Sequence, residues 1–174
     1  MEIKGVNLLL RPLRLSDAES LLRITKDKEV LEWLLLPSKL TINDIIKLIK
    51  KSKTSFKAGL YYDFAITYSG VIIGLISLKN VNHRVNNCEL AYWIIKPYRG
   101  KGLASEAINL MLKFAFNKLR LNRVTAYVLA GNAASSLLLI KAGFKLEGLM
   151  RQSERKNGKY YDEQVFSILR RDFK

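Results

Sequence analysis

The stretch KPYRGKGLASEA, from Lys96 to Ala107, sets two glycines and three cations directly ahead of a segment with helical periodicity. Leu103, Ala107, Leu110, Met111 and Phe114 recur at helical spacing, so one face of that segment is expected to be buried and the helix to begin at about Lys101 or Gly102. The loop is then the N-terminus of the helix. First-turn N–H groups lack an intrahelical partner and the macrodipole is positive there, while Gly100 and Gly102 let backbone approach a ligand with no Cβ in the way. This is chemistry for holding an anion, above all a phosphate. Arg99 and Lys101 add charge, and each contact between an anion and an exposed helix end is worth roughly 0.3 to 1 kcal/mol. The spacing is neither GxxxxGK[ST] nor GxGxxG with an acidic residue some 20 positions on, so the usual nucleotide motifs are excluded. Taken alone, a glycine pair ahead of a helix serves equally well as a structural turn.

Other reactive side chains are sparse. Cys88 is the one cysteine and His83 the one histidine, so neither an internal disulfide nor a Cys–His nucleophile is expected. Without a CxxC pair or a His/Cys cluster, nothing asks for a metal. At 174 residues and 49% hydrophobic content, the chain is expected to form a single domain over residues 1–174. Its apolar runs, VLEWLLLP and SSLLLI, fall far short of the roughly 20 residues that span a bilayer. Met1 to Asp17 lacks a signal-peptide layout, so a cytoplasmic location with no membrane contact is expected. Thirty Lys and Arg against 15 Asp and Glu give a formal charge of +15, which suits anionic partners such as nucleotides, nucleic acid or acidic surfaces. A lysine-rich solvated surface accounts for it equally well. The densest run, KLIKKSKTSFK, reads as the end of an amphipathic helix.

The elements that must position the loop follow from period and punctuation. VNLLLRPLRL is extended, with Pro12 forbidding a helix, and SDAESLLRITKD opens a helix with Ser16 and Glu19 in capping positions. A second helical region near Val30 to Leu36 breaks at Pro37 and resumes at TINDIIKLIKKSK, capped by Thr41 and Asp44. Trp33 with Leu34 to Leu36 either lines a cleft or belongs to the core, and core is the preferred reading. YYDFAITYSGVIIGLISLKNV reads as a hairpin about Ser69-Gly70, and NNCELAYWIIK as a third strand. The helix GLASEAINLMLKFAFNKL, the strand RVTAYVLA, the helix AASSLLLIKAG and a closing hairpin turned at Asn157-Gly158 complete the chain. This order predicts a mixed α/β (α+β) three-layer domain around one sheet.

ELAYWIIKPYRGKGLASEA resembles the acetyl-CoA signature of the GCN5-related N-acetyltransferase (GNAT) superfamily, R/Q-x-x-G-x-G/A, met here by Arg99, Gly102 and Ala104. YWI followed by KPY is similar to the RimJ/RimL-like branch. GNAASSLLLIKAGFKLEG resembles that branch's Asn-x-x-Ser helix and GF strand start, and MRQSERKNGKYYDEQVFSIL its C-terminal hairpin. The opening LLLRPLRLSDAESLLRI is similar to its first strand and helix. The resemblance spans essentially the whole chain and implies a central, mostly antiparallel twisted sheet flanked by helices.

It also implies roles. The loop Arg99, Gly100, Lys101, Gly102, Leu103 and Ala104 would hold the pyrophosphate of acetyl-CoA through main-chain amides. The strand from Tyr92 through Trp93, Ile94 and Ile95 would splay from its neighbour and bond the pantetheine. Asn132, equally well a helix N-cap, and Ser135 would sit beside the thioester. Glu89, on the cofactor strand, and Glu154, in the hairpin, are the candidate bases, each also explicable as a surface residue. Ser135 is the candidate donor to the leaving sulfur, because Leu139 stands where many relatives carry a tyrosine acid. A chain N-terminus, with a pKa near 7.7 to 8.0, is roughly a tenth neutral at pH 7, whereas a lysine near 10.4 is under a thousandth neutral. N-terminal amines therefore ask less of the enzyme, and the resemblance implies a protein N-terminus as acceptor, ribosomal proteins foremost, with association to the ribosome through the basic surface. A small amine or polyamine is the alternative, disfavoured by the charge of +15. A basic RNA-binding module is the reading from another class. Monomer and homodimer are both compatible with the sequence.

Overall fold

The computed structural model describes residues 1–26, 28–33 and 40–173, without the side chains of residues 28, 29 and 32. Strands β1 (Ile3–Lys4) and β2 (Leu8–Pro12) lead into helices α1 (Ala18–Ile24), α2 (Lys28–Trp33) and α3 (Ile42–Lys57). Strands β3 (Tyr62–Tyr68), β4 (Val71–Asn82) and β5 (Asn87–Ile94) follow, then α4 (Leu103–Lys113), β6 (Arg123–Leu129), α5 (Ala133–Lys141), β7 (Lys145–Lys156) and β8 (Lys159–Leu169). The strands form one sheet in the order β1-β2-β3-β4-β5-β6-β8-β7. Every neighbouring pair is antiparallel except β5 and β6. The three-layer, mostly antiparallel α/β expectation is met.

Each face of the sheet has its own core. Leu103, Ala107, Ile108 and Met111 of α4 and Leu139 of α5 pack with Phe64, Ile76, Leu90, Phe166 and Ile168. On the other face, Leu21 and Ile24 of α1 and Ile45 and Ile49 of α3 pack with Ala65 and Ile72. Alternation along each strand, with side chains pointing in turn to opposite faces, divides the apolar residues between the two cores. No helix among the described residues is long and apolar enough to cross a membrane.

Three local expectations are corrected. Ser16 and Glu19 do not form a capping box; instead Leu15–Asp17 makes a 3-10 turn, and Asp17 accepts the Arg14 amide at 2.7 Å. Asp17 also takes both arms of Arg11 at 2.8 Å, and these charge-assisted bonds anchor the turn at Asp17, one residue beyond Ser16. Trp33 is not core: it is 36% exposed at the end of α2, in which Val30 is buried. Leu34 to Leu36 lie outside the described residues. The helix after the glycine loop begins at Leu103 and does not run regularly to its end, because Phe114–Lys118 is a π turn. Phe114, Ala115 and Phe116 are consecutive and all buried, and a π turn, with more residues per turn, brings three successive side chains closer to one face. Phe114 thereby meets Tyr62 and Phe64 edge-on, with centroids 5.2 and 5.8 Å apart.

Candidate active site

Strands β5 and β6 start side by side and part. Their parallel pairing covers Asn87 with Arg123, Cys88 with Val124 and Glu89 with Thr125, after which β5 runs on to Ile94 and β6 to Leu129 unpaired with each other. A V-shaped opening results, with unpaired main chain along its inner edges. The β5 side is held to β4 instead. Ile95 donates its amide to Ile73 at 2.9 Å, and Gly74 lets the two backbones close up, since a Cβ there would stand 2.1 Å from the Trp93 carbonyl oxygen.

The glycine loop begins where β5 ends. Arg99 folds back to donate from Nε to the Ile94 carbonyl at 2.8 Å, tying loop to strand, and Lys101 lies over the Tyr98 ring at 5.5 Å. Gly100 and Gly102 have φ of 73° and 76°, and a Cβ at either would meet nothing within 4 Å, so this backbone faces open space. Gly102 is the N-cap of α4. Among the described residues, no backbone hydrogen bond of 3.5 Å or less is found for the amides of Gly100, Lys101, Gly102, Leu103 and Ala104, which lie at a positive helix end. These residues fit a diphosphate.

Beyond the opening, Asn132 caps α5, its side chain accepting the Ser135 amide at 3.1 Å. Ser135 is half-buried, and its Oγ lies 2.8 Å from the hydroxyl of Tyr92 on β5. Leu139 is fully buried in the core and offers no donor. Cys88 is buried too, and burial together with Glu89 pushes its thiol up to about 12, so it carries no thiolate chemistry.

The opposite face carries carboxylates. Tyr92 packs beneath α4 and α5 and Trp93 against α1 and α3, so alternation puts Glu89 on Trp93's side. Asn80 donates to Glu89 at 3.2 Å and itself accepts from the Tyr61 hydroxyl at 2.6 Å. Glu154, half-buried on β7, stands opposite Tyr161. Sequence reasoning passed over Glu163 on β8, which is 9% exposed and faces away from the core side of Phe166. Burial pushes the Glu163 carboxyl above the ordinary glutamate range; the Ser153 hydroxyl at 3.1 Å pulls it down, and the charges of Glu154 and Glu89 raise it further. Glu163 on β8 thus feels the negative charges of Glu89 on β5 and Glu154 on β7. The alternation of Glu163 with Val165 and Ser167 was visible in the sequence, but which face would be enclosed was not. Tyr92 was likewise placed on its strand with no sign of its partner 43 residues away.

A parting parallel strand pair that leads into an amide-lined glycine loop, with a hydroxyl pair on one face and carboxylates on the other, is suited to acyl transfer from a phosphate-bearing donor. The chain belongs to the acetyltransferase (GNAT) family, whose model matches residues 7–145. It is therefore an N-acetyltransferase, and the reading as a nucleic-acid-binding module without catalysis is set aside. The chain is similar to the probable N-acetyltransferase YjcK of Bacillus subtilis (strain 168), with 30% identity over 177 residues covering 98% of each chain. It shares the fold of RimL, a ribosomal alpha-N-protein acetyltransferase in complex with coenzyme A, at a TM-score of 0.91 and 21% identity, over 97% of this chain and 98% of that one. It also shares the fold of spermidine N-acetyltransferase from Vibrio cholerae in complex with CoA and spermine, at a TM-score of 0.85 and 22% identity, over the same shares of the two chains.

Proposed function

We propose that this chain moves acetyl from acetyl-CoA directly to the α-amine of a protein N-terminus, ribosomal proteins being the acceptor class. The observation that carries this reading is the opening between β5 and β6, which ends at the amides of Gly100 to Ala104 at the start of α4. In this reading those amides, with Arg99 and Lys101, hold the pyrophosphate, and the main chain from Tyr92 to Ile95 borders the pantetheine. Asn132 and Ser135 flank the thioester. Acetyl-CoA supplies an activated acyl carbon, and the amine attacks it once a carboxylate has taken the amine's proton. Glu89, Glu154 and Glu163 are the candidates; Glu163 is the best matched, because its raised pKa brings it nearer that of an N-terminal amine. Residues 1–174 act as one domain in the cytoplasm, and the charge of +15 draws the enzyme to an RNA-rich ribosomal acceptor.

A polyamine acceptor is the second reading, and a specific observation favours it. Glu163, with Glu89 and Glu154 near enough for their charges to act on it, gives a cation a local site that the net charge of the chain conceals. Incubating the purified protein with acetyl-CoA, a panel of N-terminal peptides and spermidine, with mass-spectrometric detection, separates the two. Acetylated peptide α-amines are expected. Product from spermidine alone would select the second reading.

A further inference from the structure

Tyr92 reaches across the sheet to α5, and its hydroxyl oxygen lies 2.8 Å from Ser135 Oγ. Both partners are held. Tyr92 stands opposite Ile76 in the β4–β5 ladder and packs against the buried core of that face. Ser135 is fixed in the first turn of α5 by the Asn132 cap on its amide.

The direction of the bond decides what Ser135 can do. A serine hydroxyl has one proton and can accept two hydrogen bonds. Burial pushes the Tyr92 phenol up to about 12, against the opposing pull of the Ser135 bond, so Tyr92 keeps its proton over the range in which enzymes work. That proton needs an acceptor. The Ser135 carbonyl is 3.5 Å away, at the outer limit for a hydrogen bond, and faces along α5 toward the amide four residues on. Ser135 Oγ is the better acceptor by distance. Once it accepts from Tyr92, the proton of Ser135 is free to point elsewhere, and a hydroxyl that accepts one hydrogen bond donates a stronger one.

We propose that Tyr92 is a positioning residue for acetyl transfer: by donating to Ser135 Oγ it turns the Ser135 proton toward the sulfur that leaves. This rests on the acetyl transfer proposed above. The amine nitrogen forms its bond to the acyl carbon, the carbon–sulfur bond breaks, and the electron pair stays on sulfur as a thiolate. Ser135 donates a hydrogen bond to that thiolate and keeps its proton; the thiolate takes up a proton from solvent afterwards. The amine's proton goes to the carboxylate face. Through this arrangement a tyrosine on β5 supports the leaving group although Leu139 occupies the position on α5 where many relatives carry one.

The test compares Tyr92→Phe, Ser135→Ala and the double variant in steady-state acetyl transfer, with thermal melting of each. Ser135→Ala should lower kcat about 100-fold, in the range seen when one aimed hydrogen-bond donor is removed. Tyr92→Phe should lower kcat about 10-fold, an effect of hydrogen-bond direction alone, with the KM for acetyl-CoA within about twofold of wild type. The double variant should be no slower than Ser135→Ala, because Tyr92 acts only through that hydroxyl. A wild-type kcat in folded Tyr92→Phe overturns the proposal, as does a double-variant loss equal to the product of the single losses. If the wild-type protein binds acetyl-CoA yet acetylates no amine, the underlying reading of the site fails and Tyr92 with it.

Discussion

Glu163 joins two properties that usually oppose one another in a folded protein, enclosure and negative charge, with Ser153 Oγ as its hydrogen-bond partner. Its carboxyl is raised above the unfolded value, so on raising the pH the unfolded chain gives up this proton first. The stability that Glu163 contributes is then fully present below about pH 4 and falls as the pH climbs from the ordinary glutamate range through the raised native value. Glu163→Gln keeps the size and the acceptor oxygen without the charge. At neutral pH the variant should melt at or above the wild-type temperature, and this advantage should vanish in acid. As the favoured base it should also lose about 100-fold in kcat, together with the acidic limb of the pH–rate profile. A lower melting temperature at pH 7 with unchanged kcat would remove Glu163 from both arguments. Residues at this scale were legible in the sequence only where a motif named them. Arg99, Gly102, Asn132 and Ser135 stand in recognisable spacing, whereas Glu163 and Tyr92 acquire meaning from a neighbour on another strand or helix.

At the scale of elements, turns and caps were legible because they are local. Ser69-Gly70 and Asn157-Gly158 carry the positive φ values that two-residue hairpin turns require, and Thr41 and Asp44 form the reciprocal cap that their spacing suggested. The cap at Ser16 and the regular helix through Phe116 failed for the opposite reason. Asp17 found a guanidinium from β2, and Phe114 to Phe116 are buried together in a π turn; both are tertiary features that local preference does not show. Gly74 is a further tertiary residue, since only contact with β5 shows why it lacks a side chain. Gly74→Ala would drive a Cβ into the Trp93 carbonyl, which is backbone and has little room to yield. A destabilisation of about 1 to 3 kcal/mol is expected, with a fall in Tm of about 2 to 4 °C for each kcal/mol in a chain of this size. Affinity for acetyl-CoA should weaken with it, because the glycine loop leaves from the end of the displaced strand. An unchanged Tm would show that β4 and β5 tolerate separation and that the close approach is incidental.

At the scale of the molecule, the site exists because two parallel strands pair for three residues and then part. The element order in the sequence was compatible with such a sheet, but no local pattern says where a pairing stops, or that β8 lies between β6 and β7. The resemblance to a known family implied that the strand from Tyr92 to Ile95 splays from its neighbour, and the strand order itself came only from the structure. The net charge of +15 is equally incomplete alone, since it conceals the carboxylates gathered on one face of the opening. The central claim, that the loop from Arg99 to Ala104 at the end of this opening holds the diphosphate of acetyl-CoA, is tested most directly by calorimetric titration of acetyl-CoA into wild type, Gly102→Ala and Gly102→Glu. Both variants pay the strain of a side chain at φ 76°, and only the second places a carboxylate where the phosphates would lie. Wild type should bind, Gly102→Ala should bind more weakly, and folded Gly102→Glu should show no binding; equal affinity in wild type and Gly102→Glu would contradict the account.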